Sequence, residues 1–290
     1  MDDSRVPPPL RAPLRLYAGL VESALGDDLV GVYVHGSIAL GAFGGPWSDV
    51  DFVTVVRREP EEREARRLAW AHRQLRRATP WGRRFEGVYV PLDALAATSP
   101  GAVRRHPYVR RGRYAGGRHR LTAVARLLLR DRGVEVCGGG EEPAALFRAV
   151  SRAELDAEMW YNLNVYWAGQ LHRPHLYLFA EAADFAVATL PRVLHTLETG
   201  EIISKPRALA LLAQREPEWR AAAEAALARL EGRPAPRRRA ADALARARTT
   251  LAFIRAMIAR GNGGTSMVLA PLASLLPGAG RALRAPNPTE

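Results

Sequence analysis

The sequence predicts an α+β chain in which a domain of strands and helices precedes a domain of helices alone. Runs of β-branched and aromatic residues, bounded by Gly and Pro, recur up to about residue 138 and are typical of strands. From about residue 151 onward only helical periodicity remains. We therefore predict domains at 13–150 and 151–260, preceded by a flexible N-terminus at 1–12 and followed by a mobile tail at 261–290.

In the first domain, apolar residues at helical spacing predict a helix over about 14–25, with Gly26 as a natural stop. Strands follow at about 29–35 and 50–56. A charged stretch with an apolar stripe at Leu68, Ala71 and Leu75 predicts a surface helix over 59–78, ended by Thr79-Pro80.

A third strand is predicted at 85–90. Residues 99–120 are rich in Arg, Gly and His and lack periodicity, so they are interpreted as a long loop, followed by a helix at 121–131 and a short strand at 134–136. The pattern Ser151-Arg-Ala-Glu154 predicts a capping box that opens the second domain. The helices predicted there cover about 151–170, 175–199, 205–214, 217–231 and 236–260.

The charge balance is strongly basic, with a formal net charge of +12 and a sequence pI near 10.8. Such a balance is typical of proteins that bind nucleic acid or another polyanion. However, all but one of the 42 basic residues are arginine, and the exception is Lys205. This usage indicates the codon bias of a GC-rich genome, which places arginine on solvated faces. We therefore do not expect nucleic acid to be the partner.

No run of about 18 apolar residues exists, so no membrane span is expected. The N-terminal residues lack the basic start and apolar core of a signal peptide. Cys137 is the single cysteine and excludes an intrachain disulfide. These features together predict a cytoplasmic protein.

Two short segments carry the candidate chemistry. Gly36-Ser37 closes the first predicted strand, and Asp49 and Asp51 open the second. Side chains alternate faces along a strand, so both carboxylates lie on one face, where a divalent cation such as Mg²⁺ would offset their repulsion. A glycine lets a phosphate approach the backbone, while Ser37 and Ser48 are candidate donors to that phosphate.

The pattern Gly36-Ser37-x11-Asp49-Val-Asp51 resembles the signature of the DNA-polymerase-β-like nucleotidyltransferase superfamily. The resemblance implies a mixed β-sheet flanked by helices and a third carboxylate on a nearby strand, for which Glu86 is the match. It also implies a site with two Mg²⁺ ions, a nucleoside triphosphate as co-substrate, and Asp49, Asp51 and Glu86 as catalytic residues. Glu86 is then a general base, a metal ligand or both.

The segment 190–205 is similar to one in aminoglycoside (3'')-adenylyltransferases, at Arg192, Thr199, Gly200, Ile202 and Lys205. That family pairs the nucleotidyltransferase domain with a C-terminal helical domain. The resemblance implies transfer of AMP from ATP to an antibiotic hydroxyl, with release of pyrophosphate. It also implies that Arg192 and Lys205 bind the triphosphate.

The acceptor depends on the helical domain, where the pattern changes. Streptomycin-modifying relatives carry a tryptophan at the position of Leu194 and an acid soon after the lysine, where this chain has Pro206. A cationic acceptor of the streptomycin or spectinomycin class still needs acids and aromatic faces, and Glu181, Asp184 and Trp160 are candidates. The alternatives are another small hydroxylated metabolite, a protein or a tRNA as acceptor, or a nucleotide-binding regulator without turnover.

Overall fold

The computed structural model describes residues 2–45, 48–95, 105–140, 142–233 and 240–263, without the side chains of 115–118 and 240–241. The chain divides into two compact units, Met1–Glu154 and Leu155–Glu290, and each is described by itself. The predicted domain boundary at 150 lies close to this division.

The described part of the first unit contains one six-stranded sheet with the strand order β5-β4-β3-β2-β1-β6. Strands β2 and β3 are parallel, and every other neighbouring pair is antiparallel. This mixed sheet, flanked by helices, agrees with the predicted fold class. The strands are β1 (Leu29–Val34), β2 (Val50–Val56), β3 (Phe85–Pro91), β4 (His106–Arg110), β5 (Arg113–His119) and β6 (Val134–Gly138).

Among the described residues before position 150, six α-helices accompany this sheet, and the first, third and fifth are the long ones. Short 3-10 turns at Gly26–Asp28 and Pro80–Arg84 lead into β1 and β3. The helices are α1 (Pro8–Leu25), α2 (Gly36–Ala39), α3 (Glu62–Ala78), α4 (Leu92–Leu95), α5 (Ala123–Arg132) and α6 (Pro143–Leu146).

The two faces of the sheet bury separate apolar clusters. Phe52, Phe85 and Tyr89 pack with α1 and with Leu68 and Leu75 of α3 on one face. The residues that alternate with them pack against α5 and Phe147 on the other face. The members of this second cluster on β2 and β3 are Val53, Val55, Val88 and Val90. Each fully buried side chain of this kind contributes roughly 1.5–3 kcal/mol.

Helix α1 begins at Pro8, so the prediction that residues 1–12 are flexible is wrong for the start of this helix. Val6 and Leu10 are also buried, at 1% and 0% exposure. Proline is tolerated in the first helical turn because the N–H groups there have no intrahelical acceptor. The prolines at positions 7–9, within the segment predicted to be flexible, therefore lead directly into a helix.

The long loop predicted over 99–120 is wrong where the structure describes it, because residues 106–119 form the hairpin of β4 and β5. Its two-residue turn, Arg111-Gly112, has φ of 50° and 65°. A two-residue hairpin loop with two positive φ angles is typical of a type I′ turn, for which Asn-Gly is the usual signal. An Arg-Gly turn between strands rich in arginine lacks that signal. Residues 96–104 lie outside the described part.

The described part of the second unit is helical throughout, as predicted. A π-helical segment at Asn162–Trp167 and 3-10 turns at Pro174–Leu178 and Pro217–Trp219 connect the α-helices. The α-helices from the unit boundary onward are α7 (Arg152–Tyr161), α8 (Ala168–Gln170), α9 (Ala180–Thr199), α10 (Lys205–Arg215), α11 (Arg220–Leu230) and α12 (Ala240–Gly261).

Among the described residues, none of the helices combines the length and the apolar character that crossing a bilayer requires. Helix α12 ends at Gly261. The predicted tail at 261–290 lies outside the described residues from position 264 onward.

Candidate active site

The segment Gly36-Ser37 opens α2 directly after β1. Gly36 has φ of 60°, and a Cβ at this position would lie 1.9 Å from Oδ2 of Asp51. The N–H of His35 donates to the main-chain oxygen of Asp51 at 3.0 Å. Only glycine fits here, because both the backbone conformation and the nearby carboxylate exclude a side chain. The structure thus brings the predicted glycine and the predicted acid into contact.

Asp51 and Glu86 are direct partners in the parallel register of β2 and β3. Asp51 alternates with Val53 and Val55, and Glu86 alternates with Val88. Those valines belong to the cluster on the α5 face, so both acids lie on that face where the strands begin. Asp49 precedes β2 and is exposed. Two of the three predicted catalytic acids are therefore neighbours on adjacent strands.

Electrostatics couple all three acids. Burial is the main cause that raises the pKa of Glu86 to about 7, and the charges of Asp49 and Asp51 raise it further. One main-chain donor acts in the opposite direction, since the N–H of Arg111 lies 3.4 Å from Oε1 of Glu86. A carboxyl group with a pKa near neutrality takes up and releases protons readily at that pH.

The hairpin turn is a part of this site that the sequence interpretation missed. Arg111 contacts Glu86 through its main chain, and the N–H of Gly112 donates to the main-chain oxygen of Phe85 at 2.9 Å. The signal available in the sequence was the apolar pair Val109 and Tyr114 on either side of the turn, which are register partners in the hairpin. Two inward residues flanking a glycine would have indicated a hairpin there.

Ser48 has a role different from the predicted phosphate donor. Its hydroxyl accepts from the N–H of Gly44 at 3.0 Å and donates to the carbonyl oxygen of the same residue. Arg84 lies over the ring of Trp81 at 4.9 Å and donates to the carbonyl oxygen of Gly45 at 3.4 Å. The Ser48 side chain thus closes the glycine-rich segment ahead of Asp49.

The donor set can be compared with the needs of a metal ion. Within the part of the chain that the structure describes, no three His, Cys, Asp or Glu side chains form a metal-binding group. Mg²⁺ does not require such a group, because it is commonly held by one or two carboxylates together with phosphate oxygens and water. Asp49 and Asp51 supply the hard oxygen ligands that Mg²⁺ prefers. A cation bound to them would also weaken the electrostatic repulsion between these two carboxylates and Glu86. These residues fit a magnesium ion that a triphosphate completes.

In the second unit, helices α9 and α10 bring two predicted residues near each other. Nε of Arg192 on α9 donates to the carbonyl oxygen of Ile203 at 2.9 Å. Lys205 is the first residue of α10, and the N-cap hydroxyl of Ser204 accepts from the N–H of Arg207 at 3.4 Å. A helix N-terminus with adjacent cations favours anions. Arg192 and Lys205 therefore belong to one cationic region of this unit.

The three residues predicted to contact the acceptor have different surroundings. Asp184 forms a two-pronged ion pair with Arg229. The charge of Glu181, which is exposed, also helps to raise the pKa of Arg229, although the hydrogen bond that Arg229 donates to Asp184 is the larger cause. Trp160 is 40% exposed at the end of α7. Arg229 already compensates Asp184, whereas Glu181 and Trp160 face solvent.

Comparisons with known proteins show the fold. No family model matches the chain, and no curated protein matches its sequence. Among solved structures, the chain is similar to spectinomycin adenyltransferase AAD(9) from Enterococcus faecialis, whose crystal structure contains ATP and spectinomycin. The match has a TM-score of 0.67 and 14% identity, and it covers 85% of this chain and 98% of the other. The chain therefore has the fold of an aminoglycoside nucleotidyltransferase.

Proposed function

We propose that this protein is a magnesium-dependent adenylyltransferase, which transfers AMP from ATP to a hydroxyl group of a small cationic acceptor and releases pyrophosphate. The acceptor class that we favour is an aminoglycoside-type antibiotic of the streptomycin or spectinomycin class. The observation that carries the proposal is the contact of Gly36 with Asp51, which is in turn the register partner of Glu86. The likeness to a structure that holds ATP and spectinomycin supports the same choice.

The nucleotide would bind where β1 runs into α2. Gly36 leaves the backbone open, and the amide and hydroxyl of Ser37 are available as phosphate donors in the first turn of that helix. Asp49 and Asp51 would hold Mg²⁺. When bound, Mg²⁺ supplies charge stabilisation at the phosphate oxygens of the nucleotide. We assign Ser48 to positioning these aspartates, because its hydroxyl is engaged with Gly44.

We assign Glu86 as the base that accepts the proton of the attacking hydroxyl. The main-chain N–H of Arg111 orients the carboxylate, and burial raises its pKa toward neutrality in the metal-free protein. The proton moves from the acceptor oxygen to the Glu86 carboxylate as that oxygen forms its bond to the α-phosphorus. The bond between the α-phosphorus and the bridging oxygen breaks, and pyrophosphate leaves with the electron pair.

Arg192 and Lys205 are assigned to the β- and γ-phosphates. Positive groups there would stabilise the charge that develops on the leaving pyrophosphate. The hydrogen bond from Nε of Arg192 to the carbonyl oxygen of Ile203 orients the guanidinium group. Glu181 and Trp160 are the residues that we assign to a cationic acceptor. Asp184 would act by orienting Arg229 rather than by meeting the acceptor directly.

A pyrophosphate-release assay tests the proposal. Purified protein is incubated with Mg²⁺ and ATP, and with streptomycin, spectinomycin and other aminoglycosides in turn. We expect release with at least one of these acceptors and none after EDTA is added. Release with no acceptor in the panel, despite ATP binding, would contradict the antibiotic assignment. Full activity of Asp51→Asn would contradict the mechanism itself.

A further inference from the structure

We propose that Arg76, Arg83 and Arg113 form a separate binding site for a phosphate-bearing anion, next to the candidate active site. The three residues come from the end of α3, the 3-10 turn Pro80–Arg84 and the first position of β5. Nothing in the adenylyl-transfer chemistry proposed above uses them. The site depends on the hairpin that the sequence did not predict.

Two glycines hold these segments against one another. A Cβ at Gly112 would lie 1.8 Å from the carbonyl oxygen of Gly82 and 3.0 Å from Cγ of Arg76. A Cβ at Gly82 would lie 2.4 Å from the carbonyl oxygen of Leu75. The backbones therefore meet at van der Waals distance, and the hairpin turn has a fixed place on the end of α3. Arg76 takes part in this contact through Cγ, and Arg83 and Arg113 directly follow its two glycines in the sequence.

The guanidinium group of Arg76 lies close enough to Arg83 and Arg113 to be affected by the charge of each. Burial is the main cause that lowers the pKa of Arg76, and the charges of Arg113 and Arg83 lower it further. Nε of Arg76 is buried and has no hydrogen-bond partner among the described residues. A buried donor without a partner and three like charges together are unfavourable, unless an anion satisfies them.

Arginines at or near the other end of α3 form ion pairs with carboxylates. Arg58 pairs with Glu64 at 2.8 Å and with Asp28 at 2.7 Å, and Arg66 pairs with Glu62. In contrast, Arg76, Arg83 and Arg113 have no ion pair with a carboxylate among the described residues. The sequence explains this difference, because it contains no acid between Glu64 and Glu86. Codon bias accounts for many solvated arginines but not for three that converge.

Guanidinium groups suit phosphate because their planar N–H donors match two phosphate oxygens at once. The same chemistry has two sources, a small polyphosphate such as pyrophosphate and the phosphodiester backbone of RNA. The turn that carries the site also donates the Arg111 N–H to Glu86. An anion bound by the three arginines would therefore lie beside the turn that orients the proposed base.

The test uses two probes and a matched control. Inorganic pyrophosphate is titrated calorimetrically into the full-length protein in EDTA, and a short single-stranded RNA is titrated by fluorescence anisotropy at several salt concentrations. The test variant is Arg83→Gln/Arg113→Gln, which changes two exposed side chains. The control is Arg63→Gln/Arg67→Gln, which removes the same charge from exposed positions on α3. Arg76→Gln is a third variant, which keeps the stem that packs on Gly112.

We expect the test variant to weaken binding of at least one probe by about tenfold or more, because two charge-assisted contacts are lost. The control should change that affinity by less than about twofold, since its arginines are separate from the cluster. Loss confined to pyrophosphate identifies a small polyphosphate as the ligand. Loss confined to RNA, with a shallower salt dependence in the variant, identifies a phosphodiester backbone.

Two results would overturn the site. One is binding of neither probe by the unmodified protein, and the other is equal weakening by the test and control variants. Lys205→Gln separates this proposal from the adenylyltransferase, because it should leave cluster binding unchanged. If Lys205→Gln abolishes pyrophosphate binding and the cluster variants bind both probes as tightly as the unmodified protein, the arginine site is rejected. Binding of the two probes at the arginine site can be measured even if the protein shows no adenylyl transfer, so the two proposals can fail separately.

Discussion

Glu86 and Glu154 are partly buried glutamates of the same unit whose pKa values move in opposite directions. Burial and the charges of Asp49 and Asp51 raise the pKa of Glu86 to about 7. A hydrogen bond from Arg148 is the main cause that lowers the pKa of Glu154 to about 2, supported by bonds from Ser151. Arg126 adds an ion pair with Glu154 at 3.3 Å. Ionisation of the glutamate side chain is therefore disfavoured at position 86 and favoured at position 154.

The difference shows how the surroundings of a glutamate decide whether its ionisation stabilises or destabilises the fold. The charge of Glu154 is matched by two guanidinium groups and the capping-box amide of Ser151, so ionisation stabilises the fold. The charge of Glu86 is opposed by burial and by Asp49 and Asp51, whereas the amide of Arg111 and the charge of Arg110 favour it. A group whose ionised form is disfavoured is a better proton acceptor and benefits more from a nearby cation. The following predictions test this contrast.

The largest effect is expected from Asp51→Asn. Removing one of the two proposed magnesium ligands should lower pyrophosphate release by about a thousandfold or more, because metal stabilisation contributes several kcal/mol. The thermal midpoint should stay the same or rise, since a charge next to Glu86 is removed. Asp27→Asn, in the exposed turn before β1, is the matched control. Activity of Asp51→Asn within tenfold of the unmodified enzyme would reject the assignment.

Glu86→Gln should reduce turnover by roughly a hundredfold to ten-thousandfold, as expected for loss of a general base. In EDTA the same variant should be more stable by about 1–3 kcal/mol at pH 8. The folded pKa lies above the unfolded value, so ionisation of Glu86 costs stability as pH rises from about 4.5 through 7. Urea unfolding of both proteins measures the difference. A less stable Glu86→Gln would show that the carboxylate is structural.

Glu154→Gln should have the opposite signature, with activity retained and stability reduced by about 1–3 kcal/mol at pH 7. The folded pKa lies below the unfolded value, so the stabilisation is present above about pH 4.5 and is lost as pH falls through 2. Unfolding curves of the two proteins should therefore converge in acid. A constant difference down to pH 2 would assign the effect to packing instead.

The smallest effect concerns Asp184 in the helical unit, where Arg229 provides the same kind of compensation as at Glu154. We expect Asp184→Asn and Arg229→Gln each to cost about 1–2 kcal/mol of unfolding free energy. The double variant should cost less than the sum, which a double-mutant cycle in urea measures. Strict additivity would mean that the pair contributes nothing, and Asp184 would again be a candidate for direct contact with the acceptor.

Local patterns in the sequence identified the candidate acids and one capping box. Alternation along a strand predicted a common face for Asp49 and Asp51, and the resemblance to the nucleotidyltransferase superfamily indicated Glu86 on a nearby strand. In the structure Asp49 precedes β2, whereas Asp51 in β2 and Glu86 in β3 are register partners. The capping box at Ser151 and Glu154 was equally local, and the structure confirms its hydrogen bonds. The capping-box prediction succeeded because Ser151 and Glu154 are close in sequence, and the helical period relates them directly.

Contacts between distant segments were not predictable in the same way. The ion pair of Arg126 with Glu154 requires α5 to meet the start of α7, and the approach of Gly112 to Gly82 requires the hairpin to fold onto α3. Neither leaves a periodic trace in the sequence. The Arg-Gly turn, with two positive φ angles, lacked the usual residues of such a turn.

The strands β1, β2, β3 and β6, the helical character of the second unit and the position of Lys205 at a helix start all follow from the amino-acid sequence. The opposite pKa values of Glu86 and Glu154 depended on the tertiary structure, as did the convergence of Arg76, Arg83 and Arg113. The period of a helix or strand determines which face of the element a residue occupies. The pKa of a side chain, in contrast, depends on every group packed around it. Those neighbours come from segments that only folding brings together.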